Sequence, residues 1–278
     1  LNERSIGGSS MADWFDAYPY LKFERRAHGV LLITISRPES MNATNAELHK
    51  ALSRIWRDID DDDETRVVVF TGEGKAFSAG GDLEWVGSMV QNYQGMKAAF
   101  KEAGDLVYGM MRCEKIIISA INGVAVGAGL AVALMADISL MAEEARITDG
   151  HTRLGVAAGD HANIIWPLLC GLAKAKYYLI TADFIDGRTA DRIGLVSEAV
   201  PAEELMDRAF AVAEKIARGP QDAARLTKRS LNLWVTQAAP AFDASLGFEM
   251  LNFMGPDAKE GVAALREKRA PDFDDPAT

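Results

Sequence analysis

The sequence predicts an α/β fold made of parallel strand–helix units, and three observations carry that prediction. Apolar β-like runs at Val67–Phe70 and Ile116–Ile121 each lead into a glycine-centred segment, 76–83 and 122–130, and each segment precedes a helix-like pattern. Beyond Pro201 the pattern becomes almost wholly helical. The composition, 49% hydrophobic and 25% charged over 278 residues, is that of a chain able to bury a sizeable core.

In chain order, Val30–Ile35 reads as a strand and Arg37-Pro38-Glu39-Ser40 as a turn. Thr44 is expected to open a helix with Glu47 at the capping-box position, because Leu48, Ala51, Leu52, Ile55, Trp56 and Ile59 recur at helical spacing. The acidic run 58–64 is read as a solvated turn, since it lacks the glycine and spacing of a calcium loop. A helical stretch from about Gly87 to Arg112 follows the first glycine turn. A short apolar helix, Gly129 to about Met135, follows the second and leads to a strand at Ile138–Met141. The helical tail is expected to break at Gly219-Pro220, Pro240 and Gly255-Pro256. Residues 1–10, which precede Met11, read as a linker-like cloning remnant, 11–200 as the core domain and 201–278 as a helical oligomerisation region.

No run approaches the roughly 18 apolar residues of a membrane span. The net charge of −10 argues against nucleic-acid or anionic-membrane partners, which need a basic face. Cys113 and Cys170 stand in no metal-ligand spacing and read as inert thiols; a cytoplasmic setting is expected. The basic run 266–269 is a candidate anion patch or a solvated helix end.

Each glycine turn leaves backbone amides free to point at a ligand, and two such turns can aim two amides at one oxygen. If that oxygen belongs to a thioester becoming an enolate, the pair is an oxyanion hole, in which losing one donor costs about 2.7–4 kcal/mol.

Together with Ser36-Arg37-Pro38, Met41-Asn42-Ala43, Ala136-Asp137, Gly187-Arg188, Gly194-Leu195-Val196 and the closing 260–269, these turns resemble the crotonase superfamily, the enoyl-CoA hydratase/isomerase family, from about Tyr20 to Phe273. The resemblance implies a spiral of repeated ββα turns with a C-terminal helical trimerisation region, a homotrimer or dimer of trimers, and an acyl-CoA substrate with no metal or redox cofactor. It places the hole amides at Gly81 and Ala128 and implies substrate or CoA contacts from Met41, Ala79, Asp82, Leu83, Trp85, Gly127, Leu154 and Lys268. The family's two hydratase glutamates correspond to Ala131 and His151, and alanine transfers no proton.

The segment 149–160 instead resembles the carbon–carbon hydrolases of the superfamily, such as 6-oxocamphor hydrolase, which pair a histidine with an aspartate. Here those are His151 and Asp160, the expected base and its orienting partner. His161 is a competitor one residue inside the next helix, Asp82 is expected to cap a helix, and Trp85 and Met89 could line an acyl pocket. His28 and His49 are given no role, with His49 on the exposed side of its helix. The main expectation is an acyl-CoA enzyme of the hydratase/isomerase type. Hydrolysis of a β-dicarbonyl and a noncatalytic acyl-CoA binder are the alternatives.

Overall fold

The computed structural model describes residues 14–274; the remnant assigned to residues 1–10 lies outside them. The chain runs β1 (Leu21–Arg26), β2 (Val30–Ile35), α1 (Ala46–Asp61), β3 (Val67–Gly72), β4 (Ala76–Ser78), α2 (Leu83–Met89), α3 (Tyr93–Arg112), β5 (Ile116–Ile121), β6 (Val124–Val126) and α4 (Gly127–Met135). It continues with β7 (Ile138–Ala142), β8 (Arg146–Thr148), α5 (Ala162–Thr181), β9 (Ile185–Asp186), α6 (Gly187–Arg192), β10 (Glu198–Val200), α7 (Leu205–Ala217), α8 (Gln221–Gln237), α9 (Ala239–Phe253) and α10 (Pro256–Glu267).

The strands form two sheets. The larger has the order β1-β2-β3-β5-β7-β10 and the smaller β4-β6-β8-β9. Successive pairs β3–β4, β5–β6 and β7–β8 each send their first strand to the larger sheet and their second to the smaller before a helix returns the chain, which is a spiral of ββα turns. Apart from the β1–β2 ladder the larger sheet is parallel, with Val68 opposite both Leu31 and Ile117. Every residue of β3 and β5 is buried, as parallel strands covered on both faces require.

Three local expectations are corrected. Asn45, not Thr44, caps α1, its side chain accepting from the Leu48 amide; Thr44 is buried in a bridge to Gly81. The acidic run is not wholly solvated either, because the Asp62 carboxylate is buried and takes hydrogen bonds from Arg25 at 2.9 Å and Thr65 at 2.6 Å. The stretch expected from Gly87 to Arg112 is two helices, broken between α2 and α3.

The tail is no appendage. Ala209, Ala213 and Ala217 of α7 are fully buried against the sheet, and Lys228 of α8 reaches the Asp137 carboxylate at 2.8 Å. Yet much of the tail's apolar surface remains uncovered: Leu231, Leu233, Trp234, Phe248 and Leu251 are each about 60–70% exposed, whereas Leu246 and Phe253 enter the core. Among the described residues no helix is long and apolar enough to cross a membrane.

Candidate active site

Strands β4, β6 and β8 lie side by side and parallel, so their C-terminal ends emerge together. The segments leaving them, Ala79–Gly81, Gly127–Ala128 and Asp149–His151, line one cavity of about 620 Å³. The turns need their glycines. Gly127 has φ +55°, and a Cβ on Gly129 would stand 2.2 Å from that of Ser78, so α4 can start this close to β4 only without a side chain there.

The bridge between Thr44 and Gly81 uses the Thr44 amide to Gly80 O, 2.7 Å, and the Asp82 amide to Thr44 O, 2.9 Å. This leaves the Gly81 amide without a backbone acceptor among the described residues. Ala128 is the second residue of α4, and first-turn amides have no intrahelical partner. The two turns touch: a Cβ on Gly127 would lie 3.8 Å from the Gly81 nitrogen. Two orphan donors therefore border one cavity, where the α4 N-terminus also favours negative charge.

The third strand end brings the titratable groups. His151 Nδ1 lies 2.9 Å from Asp149 Oδ1, while Nε2 faces Asp160 Oδ2 at 3.9 Å and Glu249 Oε1, from α9, at 3.6 Å. The orienting partner of His151 is thus Asp149. The expected Asp160 role is corrected: that carboxylate spends Oδ1 on the His161 ring and the His161 amide, at 2.6 and 2.7 Å. His161, fully buried at the N-terminus of α5, holds Asp160 in place.

Burial works against a charged His151, but the Asp149, Asp160 and Glu249 carboxylates outweigh it, so the ring keeps its proton well above the ordinary histidine range. Asp160 is driven the other way: burial would raise it, and His161 and His151 together hold it below the usual carboxylate range. Burial pushes Glu249 up to about 8, with Asp160 and Asp149 adding to the rise and His151 opposing it. The facing atoms of His151 and Glu249, 3.6 Å apart and next to the two free amides, accordingly both hold protons at neutral pH, and Glu249 gives its proton up near pH 8. Asp149, His151 and Asp160 also place ligand-type atoms within 4.8 Å of one another, but the hydrogen bonds at His151 Nδ1 and Asp160 Oδ1 fit a proton network better than a cation cage.

Of the residues expected to bind substrate, Ala79, Asp82, Leu83, Trp85, Gly127 and Leu154 line the cavity with Gly81, Ala128, His151 and Asp160. Asp82 caps α2 as expected, accepting from the Glu84 amide at 3.1 Å. Met41 and Lys268 do not line the cavity; Met41 supports it, its carbonyl accepting from the Ala79 amide at 3.0 Å, and Lys268 follows α10 with φ +55°. Ala131 is buried in the core behind the cavity. Cys170 is only half-buried, unlike Cys113, and both thiols are unpaired. His49 is likewise corrected: it is 5% exposed and lines the cavity, because α3 packs on α1 beside the apolar stripe. Glu249 went unnoticed in the sequence. Its signal was there, as the lone charge in the apolar run Leu246–Met254.

A two-sheet ββα spiral that gathers unpartnered amides and a histidine–carboxylate cluster in one cavity at its strand ends is the architecture of an enzyme. The chain belongs to the enoyl-CoA hydratase/isomerase family, whose model matches residues 25–276. It is 31% identical over 257 residues to a probable enoyl-CoA hydratase of Mycobacterium tuberculosis, covering 89% of this chain and 95% of that one. Among solved structures it is similar to an enoyl-CoA hydratase/isomerase from Mycobacterium paratuberculosis, with TM-score 0.84 and 32% identity over 88% of this chain and 97% of the other. It is also similar to a β-diketone hydrolase from the cyanobacterium Anabaena sp., solved with (S)-3-oxocyclohexyl acetic acid, at TM-score 0.81 and 27% identity over 88% and 98% of the two chains.

Proposed function

We propose that the enzyme acts on an acyl-CoA thioester, holding the thioester oxygen with the Gly81 and Ala128 amides as it gains enolate charge. The observation that carries this reading is the meeting of both orphan amides with His151 in one cavity. In a hydration, water adds to the β carbon, the Glu249 carboxyl, once ionised, takes the water proton, and the His151–Glu249 pair returns a proton to the α carbon as the enolate collapses. CoA enters as part of the substrate, and no metal or redox cofactor is required.

A second reading, hydrolytic carbon–carbon cleavage of a β-dicarbonyl, rests on the cluster itself: position 131 offers an alanine where a hydratase glutamate is expected, while His151 faces Asp160 and Glu249 at 3.9 and 3.6 Å on the cavity wall. The similarity to the β-diketone hydrolase supports it. Mass spectrometry of an acyl-CoA library incubated with the protein decides between them. Gain of one water with the chain intact supports hydration, whereas scission into two fragments supports hydrolysis, and no turnover of any thioester or β-diketone sinks both. Trimeric assembly through the exposed face of α8 and α9, and a cytoplasmic setting suited to the unpaired thiols, belong to the same proposal.

A further inference from the structure

One wall of the cavity is apolar, built by Trp85, Met89, Met96, Phe100, Leu246 and Phe253. His49 interrupts it. Its ring packs on Trp85 with centroids 4.8 Å apart, and Nδ1 lies 2.7 Å from Glu102 Oε2 on α3. Because a carboxylate only accepts, Nδ1 carries the hydrogen and the ring is fixed in one tautomer and orientation. The other nitrogen, Nε2, has no partner among the described residues, nor is it one of the fully enclosed unpaired atoms; the cavity is what it meets. His49 makes no hydrogen bond to His151, Asp160 or Glu249, so it stands apart from the His151 cluster.

A hydrogen-bonding atom held rigidly in an otherwise apolar wall penalises a plain hydrocarbon chain and rewards one that brings an oxygen to it. We infer that His49, positioned by Glu102, selects acyl chains that carry a hydroxyl group beyond the β carbon. This rests on the acyl-CoA reading above and names its substrate class: hydroxylated rather than simple fatty acyl thioesters. With the hydrogen on Nδ1, Nε2 accepts from a hydroxyl and finds no donor on an oxo group. A purely structural tie between α1 and α3 would need the Glu102 bond but not an open Nε2.

The test uses medium-chain acyl-CoA thioesters, unsubstituted or with a hydroxyl or oxo group at each carbon beyond the β position. Turnover is measured for the wild-type protein, and binding by calorimetry in a His151→Ala background. The wild type should favour at least one hydroxylated thioester over both the unsubstituted chain and its oxo counterpart by about tenfold or more in kcat/KM. His49→Leu should bring the ratio of hydroxylated to unsubstituted chain near one through loss on the hydroxylated substrate, and His49→Gln, which keeps a hydrogen-bonding group, should restore part of it. Glu102→Gln should weaken the preference less than His49→Leu does. A wild type without preference, or a ratio that His49→Leu leaves in place, overturns the proposal while the acyl-CoA reading stands. Binding that discriminates through His49 without turnover upholds the selection and removes the reaction. Failure of every thioester to bind overturns both.

Discussion

The two sides of the cavity are built on opposite principles. The strand side presents backbone amides whose direction is set by hydrogen bonds of the Thr44 bridge and by glycines that admit no side chain, as at Gly129. The helix side, from α1, α2, α3 and α9, presents side chains: an apolar wall, His49, and the Glu249 carboxyl. The first can be altered only by breaking backbone geometry, the second by ordinary substitution. On the proposed reading, an enzyme so divided keeps one pair of amides for the substrate oxygen and varies the chemistry placed around it.

The sharpest way to break the comparison is on the strand side. Gly81→Pro deletes an amide that bonds nothing else on the backbone, so kcat should fall by about 10²–10³ or more. The variant's melting temperature must stay close to wild type for the loss to count, because a Cβ here meets Val86 at 2.5 Å. His151→Ala should lower the rate by about 10²–10⁴, and Asp160→Asn by two orders of magnitude. The double variant should be scarcely worse than the worse single one. Full activity in both singles would remove the cluster from the mechanism.

On the helix side, Glu249→Gln should erase a pH-rate limb near 8. Its stability signature has a definite sign. The unfolded carboxyl ionises near 4.5 and the folded one near 8, so between these values the unfolded state binds fewer protons and wild-type stability falls as pH rises. The raised His151 acts in the same direction, its contribution present below pH 6.5 and lost as pH passes its folded value. The melting temperature of Glu249→Gln relative to wild type should therefore climb by several degrees from pH 5 to pH 9; a constant difference would show that Glu249 is not a protonated buried acid. Chelators should leave activity unchanged. Trp234→Glu should convert a sedimenting trimer to smaller species with a modest effect on chemistry, and a wild-type monomer at micromolar concentration would remove the assembly proposal. The smallest effect belongs to Lys268→Ala: a few-fold rise in KM for the CoA thioester with kcat unaltered, since Lys268 lies off the cavity.

The strand side was legible in the sequence because its demands fall on residue type: a left-handed φ at Gly127 and the lack of room for even a methyl at Gly129 leave glycine as the residue that fits. His151 was legible through the resemblance of the segment 149–160 to the carbon–carbon hydrolases of the superfamily, and the structure adds that it follows β8. The helix side was not. Glu249 is ninety-eight positions from His151, and a carboxylate on a helix reads as solvated until the docking of α9 is known. His49 fell just outside the apolar stripe of α1, and only the second contact, with α3, turns that flank inward. Asp149 was overlooked as the partner of His151 because the family pattern drew attention to Asp160, whereas the turn at Gly150, φ +82°, folds position 149 back onto the ring.

Helix α9 has two faces with different clients. Glu249 points inward to His151, while its neighbours Phe248 and Leu251 lie bare on the outside. The same helix thus carries the carboxyl that faces His151 at 3.6 Å and the apolar surface that the proposed assembly would cover, so a variant of the outer face is to be read for activity as well as for assembly.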